Sequence, residues 1–96
     1  GYSYSEINCL AIDPKDANHV FAGGRTGLYE FQNGKLTKYY NKDNSILMPA
    51  VDKGKELDNE YVLINGLLFD EERHLWILNN QTKGQSIIEL LPDGTM

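Results

Sequence analysis

The segment HVFAGGRTGLYEF (residues 19–31) returns later in the chain as HLWILNNQTKGQSIIEL (residues 74–90). Each has a His, an apolar stretch with an aromatic residue, a Gly-containing break and an apolar run closed by Glu and one more apolar residue. A short chain that repeats itself must fold into similar units, so the repeat constrains the fold more than any other feature. Extending the comparison outward strengthens it. INCLAID (7–13) matches INGLLFD (64–70) at four of seven positions, and both end in Asp. Gly27 then aligns with Gly84, LYEF (28–31) with IIEL (87–90), and Asn33-Gly34 with Asp93-Gly94. The offset moves from 57 to 55 to 60, and each gap falls in a connection. Loops tolerate such gaps, whereas a one-residue slip inside a strand exchanges its buried and exposed faces.

Each unit reads as β-structure. INCLAID, VFAGG and GLYEFQ are short runs rich in Ile, Val, Phe and Tyr, bounded by Gly, Asp, Asn and Pro. Asp13-Pro14 should end the first strand, because Pro donates no ladder bond and Asp caps the turn. Asn33-Gly34 should join a third strand to LTKYYN, since a two-residue type I′ hairpin needs positive φ at both central positions. Helical periodicity is hard to find; the sole candidate, KGKELDNEY (53–61), is polar and contains Gly. Four antiparallel strands per unit at a spacing of 50 to 60 residues predict an all-β fold of meander blades, a partial β-propeller of about two blades. The first blade should span 5–41 and the second, incomplete blade 61–96. Residues 42–60, charged and poor in apolar anchors, read as an insertion or linker and as the least ordered internal segment.

Composition narrows the class. Ninety-six residues with 41% hydrophobic content suffice for one small domain. A net charge of −5 without a basic cluster argues against a nucleic-acid partner, which would require Lys and Arg to neutralise phosphates. No apolar run is long enough to span a bilayer, so direct membrane insertion is not expected. The opening Gly1 in place of Met suggests an excised segment without its own targeting signal. The single Cys9 cannot form an internal disulfide.

The residues resemble the two-component-regulator propeller repeat. FDEERHLWILN (69–79) is the closest stretch, IDPKDANHVFAGGRTGLYEF (12–31) is a second copy, and KLTKYYNKDNSIL (35–47) is similar to an outer strand leading into the next blade. In that family the second strand usually ends in Gly-Thr, whereas here it ends in Gly23-Gly24 and Leu78-Asn79. The resemblance implies a periplasmic or cell-surface parent protein of Bacteroidetes. Two kinds of parent fit: the sensor region of a two-component regulator that detects glycan fragments in signal transduction, or a surface propeller that assists type IX secretion or envelope assembly. Both are binding modules, and neither uses its propeller for catalysis.

His19 and His74 share a slot that invites a metal ring, but a turn before a strand without a second His or Cys reads more simply as solvated or structural. Asp13 and Asp70 read as turn caps rather than as a glycosidase pair. Asn8 and Asn65 read as buried amides bonding a neighbouring blade, with ligand contact as the alternative. Cys9, aligned with Gly66, reads as a small buried hydrophobe. Phe21 and Trp76 read as inter-blade core. Tyr29, Tyr39 and Tyr40 could stack on a sugar, but no signal selects one. Asn80-Gln81-Thr82 is a formal glycosylation sequon. No catalytic, cofactor or metal site is therefore expected, and the ligand-binding residues are left open. Expected partners are other blades of the parent propeller, a glycan, and copies of the chain itself. Bare blade faces bearing Leu10, Phe21, Leu67 and Trp76 motivate that self-association.

Overall fold

The computed structural model describes residues 6–84 and 86–96. Among them the fold is all-β and antiparallel. A four-stranded meander comprises β1 (Ile7–Asp13), β2 (Asp16–Gly24), β3 (Gly27–Gln32) and β4 (Lys35–Tyr40). A short hairpin of β5 (Val51–Asp52) and β6 (Lys55–Glu56) follows, then a three-stranded meander of β7 (Ile64–Phe69), β8 (Leu75–Asn79) and β9 (Ile87–Leu90). No helix among the described residues is long and apolar enough to cross a membrane.

The two meanders repeat residue for residue. Ala11 pairs with Phe21 and Phe21 with Glu30, while Leu68 pairs with Trp76 and Trp76 with Glu89. Both first strands shift register at the same place, between Ile7 and Cys9 and between Ile64 and Gly66. Asn8 and Asn65 are the extra residues at these shifts, and both are exposed. They are therefore not buried amides. A bulge leaves its extra residue outside the ladder, where a polar side chain is best placed in water.

The Gly27–Gly84 alignment also fails. Gly24 pairs with Gly27 where the Asn79 N–H donates to the Ser86 carbonyl, so Ser86 is the counterpart of Gly27 and Gly84 lies in the preceding connection. Asn33 and Gly34 have φ of 55° and 78°, as a type I′ hairpin requires. The corresponding turn in the second unit is longer. The Gly94 N–H donates to Leu91, the Leu91 N–H donates to Thr95, and Gly94 alone is left-handed at φ 92°. Pro92 favours that geometry because its fixed φ suits the first central position of a type I turn.

The core lies between the two sheets. Phe21 and Leu28 of the first sheet pack with Ile64, Leu75, Ile77, Ile88 and Leu90 of the second. The Phe21 and Phe69 rings lie 5.8 Å apart. Gly23 permits this approach, since a Cβ there would sit 2.9 Å from the Ile64 Cβ and 3.1 Å from the Cys9 Sγ. Cys9 is half-buried in the junction, its thiol 3.5 Å from the Gly23 carbonyl, and burial raises its pKa. Leu10 and Ile12 share the outer face of β1, where both are exposed.

Residues 42–60 are not a loose linker. Leu47, Pro49 and Ala50 are buried, the Ala50 N–H donates to Tyr61, and the Val51 N–H donates to Gln81. The charged residues that suggested disorder surround this anchor and the β5–β6 hairpin. Lys53 and Gly54, at φ 52° and 80°, form a second type I′ turn there.

Candidate functional site

Strand pairing brings four polar residues of the first sheet together, and the second sheet supplies a fifth. Asp13 closes β1, where its Oδ1 accepts the Lys15 N–H at 2.8 Å. Its Oδ2 accepts from His19 Nδ1 at 2.8 Å, and His19 Nε2 lies 2.6 Å from Glu30 Oε2. The Tyr40 hydroxyl donates to Glu30 Oε1 at 2.7 Å. Arg73, in the turn before β8, reaches across the junction to Asp13 through Nε at 3.0 and 3.1 Å and Nη2 at 2.6 Å. The result is an unbroken chain, Arg73–Asp13–His19–Glu30–Tyr40, beside a cavity of about 280 Å³ that Lys38, Phe69 and Leu90 also line.

The network sets the ionisation of its members. Burial pushes Asp13 upward, but bonds from Arg73, His19 and the Lys15 backbone outweigh it and hold the carboxyl well below the usual range. For His19 burial opposes the charged form, while hydrogen bonds to Asp13 and Glu30 prevail and raise its pKa. Both ring nitrogens face carboxylate oxygens, so the imidazolium, with two N–H donors, is the form that fits. Burial, followed by the Glu30 bond and charge, raises Tyr40 well above the ordinary phenol range. Of the two readings expected for the recurring His, structural or solvated, the structural one holds in the first unit. His19 is a proton-bearing link between two carboxylates.

The second unit repeats the triad less tightly. Asp70 Oδ1 accepts the N–H groups of Glu72 and His74 at 2.9 Å, so Asp70 caps its turn as expected. Its Oδ2 accepts from Trp76 Nε1 at 3.0 Å. His74 Nδ1 bonds Glu89 Oε2 at 2.5 Å and lies 3.9 Å from Asp70 Oδ2. The Glu89 bond raises the His74 pKa, against a smaller opposing effect of desolvation. The three groups lie close enough to share a metal ion.

Phe21 is inter-sheet core as expected, but Trp76 is not. It lies 39% exposed on the outer face of the second sheet, among the exposed Leu68 and Ile87. The repeat explains the difference. The face of the first sheet that carries Phe21 is covered by the second sheet, whereas among the described residues no further sheet covers the face that carries Trp76.

Tyr29 is buried, with its hydroxyl 2.7 Å from Thr26 Oγ1, and its ring lies tilted against that of Tyr39, centroids 5.0 Å apart. Of the three candidate tyrosines only Tyr40 lines the cleft. Asn80, Gln81 and Thr82 form the connection after β8.

The buried amide belongs to Asn79 instead, fully enclosed at the end of β8. Its Oδ1 accepts the Met48 N–H at 2.8 Å, and its Nδ2 donates to the carbonyls of Met48 and Leu63 at 3.2 Å. One side chain thereby fastens the insertion to the second sheet. The signal in the sequence is an amide at the position where the first unit has Gly24.

Comparison with protein-family models, with curated proteins and with solved structures finds no match.

Proposed function

We propose that this chain is a non-enzymatic recognition segment of an extracytoplasmic β-propeller, of the kind that detects glycan fragments in the sensor region of a two-component regulator. The observation that carries this reading is the cleft between the two sheets, where every titratable group of the Arg73–Asp13–His19–Glu30–Tyr40 chain is engaged by another. A general base needs an available lone pair and a pKa near the working pH. His19 is doubly engaged, Asp13 is held ionised by Arg73, and Tyr40 is pushed the other way. Groups bonded to one another in this way are suited to shaping and charging a cavity. The partly exposed Phe69 gives the cleft an apolar wall, and the exposed Lys38, its ammonium 4.6 Å from the Tyr40 ring centroid, gives it the polar rim that a sugar uses.

The test is an NMR titration of the chain with neutral and acidic disaccharides. Saturable shifts at Tyr40, Lys38 and Leu90 support the reading. Their absence with every sugar, or turnover of nitrophenyl glycosides abolished by Glu30→Gln, would overturn it.

The second reading is an interaction propeller of a surface protein that assists type IX secretion or envelope assembly. The exposed face of Leu68, Trp76 and Ile87 favours it, because contiguous apolar patches on soluble proteins mark contact surfaces. Association with a protein partner, without any sugar response, would select it.

A further inference from the structure

The register equates two faces of this molecule. Phe21, Leu28 and Ala11 on the first sheet correspond to Trp76, Ile87 and Leu68 on the second, and the Asp13–His19–Glu30 triad corresponds to Asp70–His74–Glu89. The first face is closed. Phe21 is 3% exposed and Leu28 0%, because the second sheet lies on them and its Arg73 caps Asp13. The second face is open, with Ile87 at 64% and Leu68 at 68%, and it carries a shallow depression of about 340 Å³.

Charge separates the two faces further. Arg73 compensates Asp13, yet among the described residues no Lys or Arg pairs with Asp70, Glu72 or Glu89. Asp70 is nonetheless held in place by two backbone N–H groups and the Trp76 indole. It is a fixed carboxylate at the rim of an apolar face, as Asp13 is.

We propose that the outer face of the second sheet docks another β-sheet that presents an arginine in the turn ahead of its second strand, the guanidinium bonding Asp70 as Arg73 bonds Asp13. The proposal rests on the blade reading of the two sheets and not on glycan binding in the cleft. The arginine is specified by the closed junction, where planar guanidinium meets carboxylate through two nitrogens, a geometry that a lysine ammonium cannot reproduce. The occupant is a different sheet rather than a second copy, since the residue directly ahead of His19 in this chain is Asn18.

Two measurements on the full chain test it. In the first, N-acetyl-arginine methylamide is titrated against the Trp76 indole N–H and His74 signals, with the lysine analogue in parallel. The arginine probe should shift them saturably at millimolar concentration and several-fold more strongly than the lysine probe, with the response lost in Asp70→Asn. In the second, Asn18→Arg supplies the missing guanidinium on a copy of the chain. Its self-association in sedimentation should tighten roughly tenfold, as one charge-assisted bidentate contact allows, and Asp70→Asn should cancel the gain.

An equal response to lysine, or no gain in Asn18→Arg, would overturn the proposal. So would wild-type association through this face as tight as the variant's, or micromolar saturation of the same signals by zinc ion. The sugar titration of the cleft is independent of both measurements, so failure of one reading is distinguishable from failure of the other.

Discussion

Arg73 of the second sheet grips Asp13 of the first through two nitrogens, at 2.6 to 3.1 Å, from a left-handed backbone with φ 66°. Glycine is the usual occupant of such a conformation. Arg73→Gly therefore relieves the backbone while removing the latch, whereas Arg73→Ala removes the latch alone. Both should lower the thermal midpoint, Arg73→Ala more, and both well beyond Arg25→Ala, whose Glu6 contact at 3.6 Å is a surface pair. Adding Asp13→Asn to Arg73→Ala should recover part of the loss, since the buried carboxylate is then no longer unpaired. An Arg73→Ala midpoint equal to that of Arg25→Ala would show that the latch contributes nothing to the junction.

Stability should peak in mildly acidic solution. The folded pKa of His19 is raised, so its contribution is complete below the unfolded value of about 6.5 and is lost as pH rises through the folded value. His74 acts in the same sense. The folded pKa of Asp13 is depressed, so its contribution is complete above about 3.9 and is lost as pH falls through the folded value. Urea titrations should place the maximum between about pH 4 and 6.5, and His19→Gln should flatten the alkaline decline. A decline unchanged in that variant would remove His19 from the account.

Asn79→Leu keeps the number and branching of side-chain heavy atoms but orphans the Met48 N–H and the Met48 and Leu63 carbonyls. A loss of about 2 to 4 kcal/mol in urea unfolding is expected, from several buried backbone groups left without partners. Leu47→Ala, at a fully buried position of the same anchor, should cost a similar amount, about 2 to 5 kcal/mol. Losses below half a kcal/mol in both would mean that the insertion is not part of the cooperative core.

Trypsin should cut first at Lys53 or Lys55, where the β5–β6 turn is exposed. The two halves should then stay together on a sizing column, because Leu47 and Ala50 remain buried on one side of the cut and Val62 and Ile64 on the other. Immediate separation after a single cut would contradict that packing.

The strands, the Asn33-Gly34 hairpin and the equivalence of the two units were legible in the sequence. They rest on period-two alternation, turn chemistry and collinear spacing, which are local properties of neighbouring residues. The triads were half legible. Asp13, Asp70, His19 and His74 stood out as repeats, and Glu30 and Glu89 lay in the aligned runs, but only β2–β3 and β8–β9 pairing brought each Glu to its His. Which face each unit buries was decided by tertiary structure alone. Phe21 and Trp76 are equivalent in sequence and in register, yet one is enclosed and the other open, because burial depends on whether another sheet lies against that face. Asn8 and Asn79 make the same point in opposite directions. An amide in an apolar run is exposed where a bulge turns it outward, and an amide at a strand end is buried where a distant segment, 31 residues away at Met48, returns to bond it.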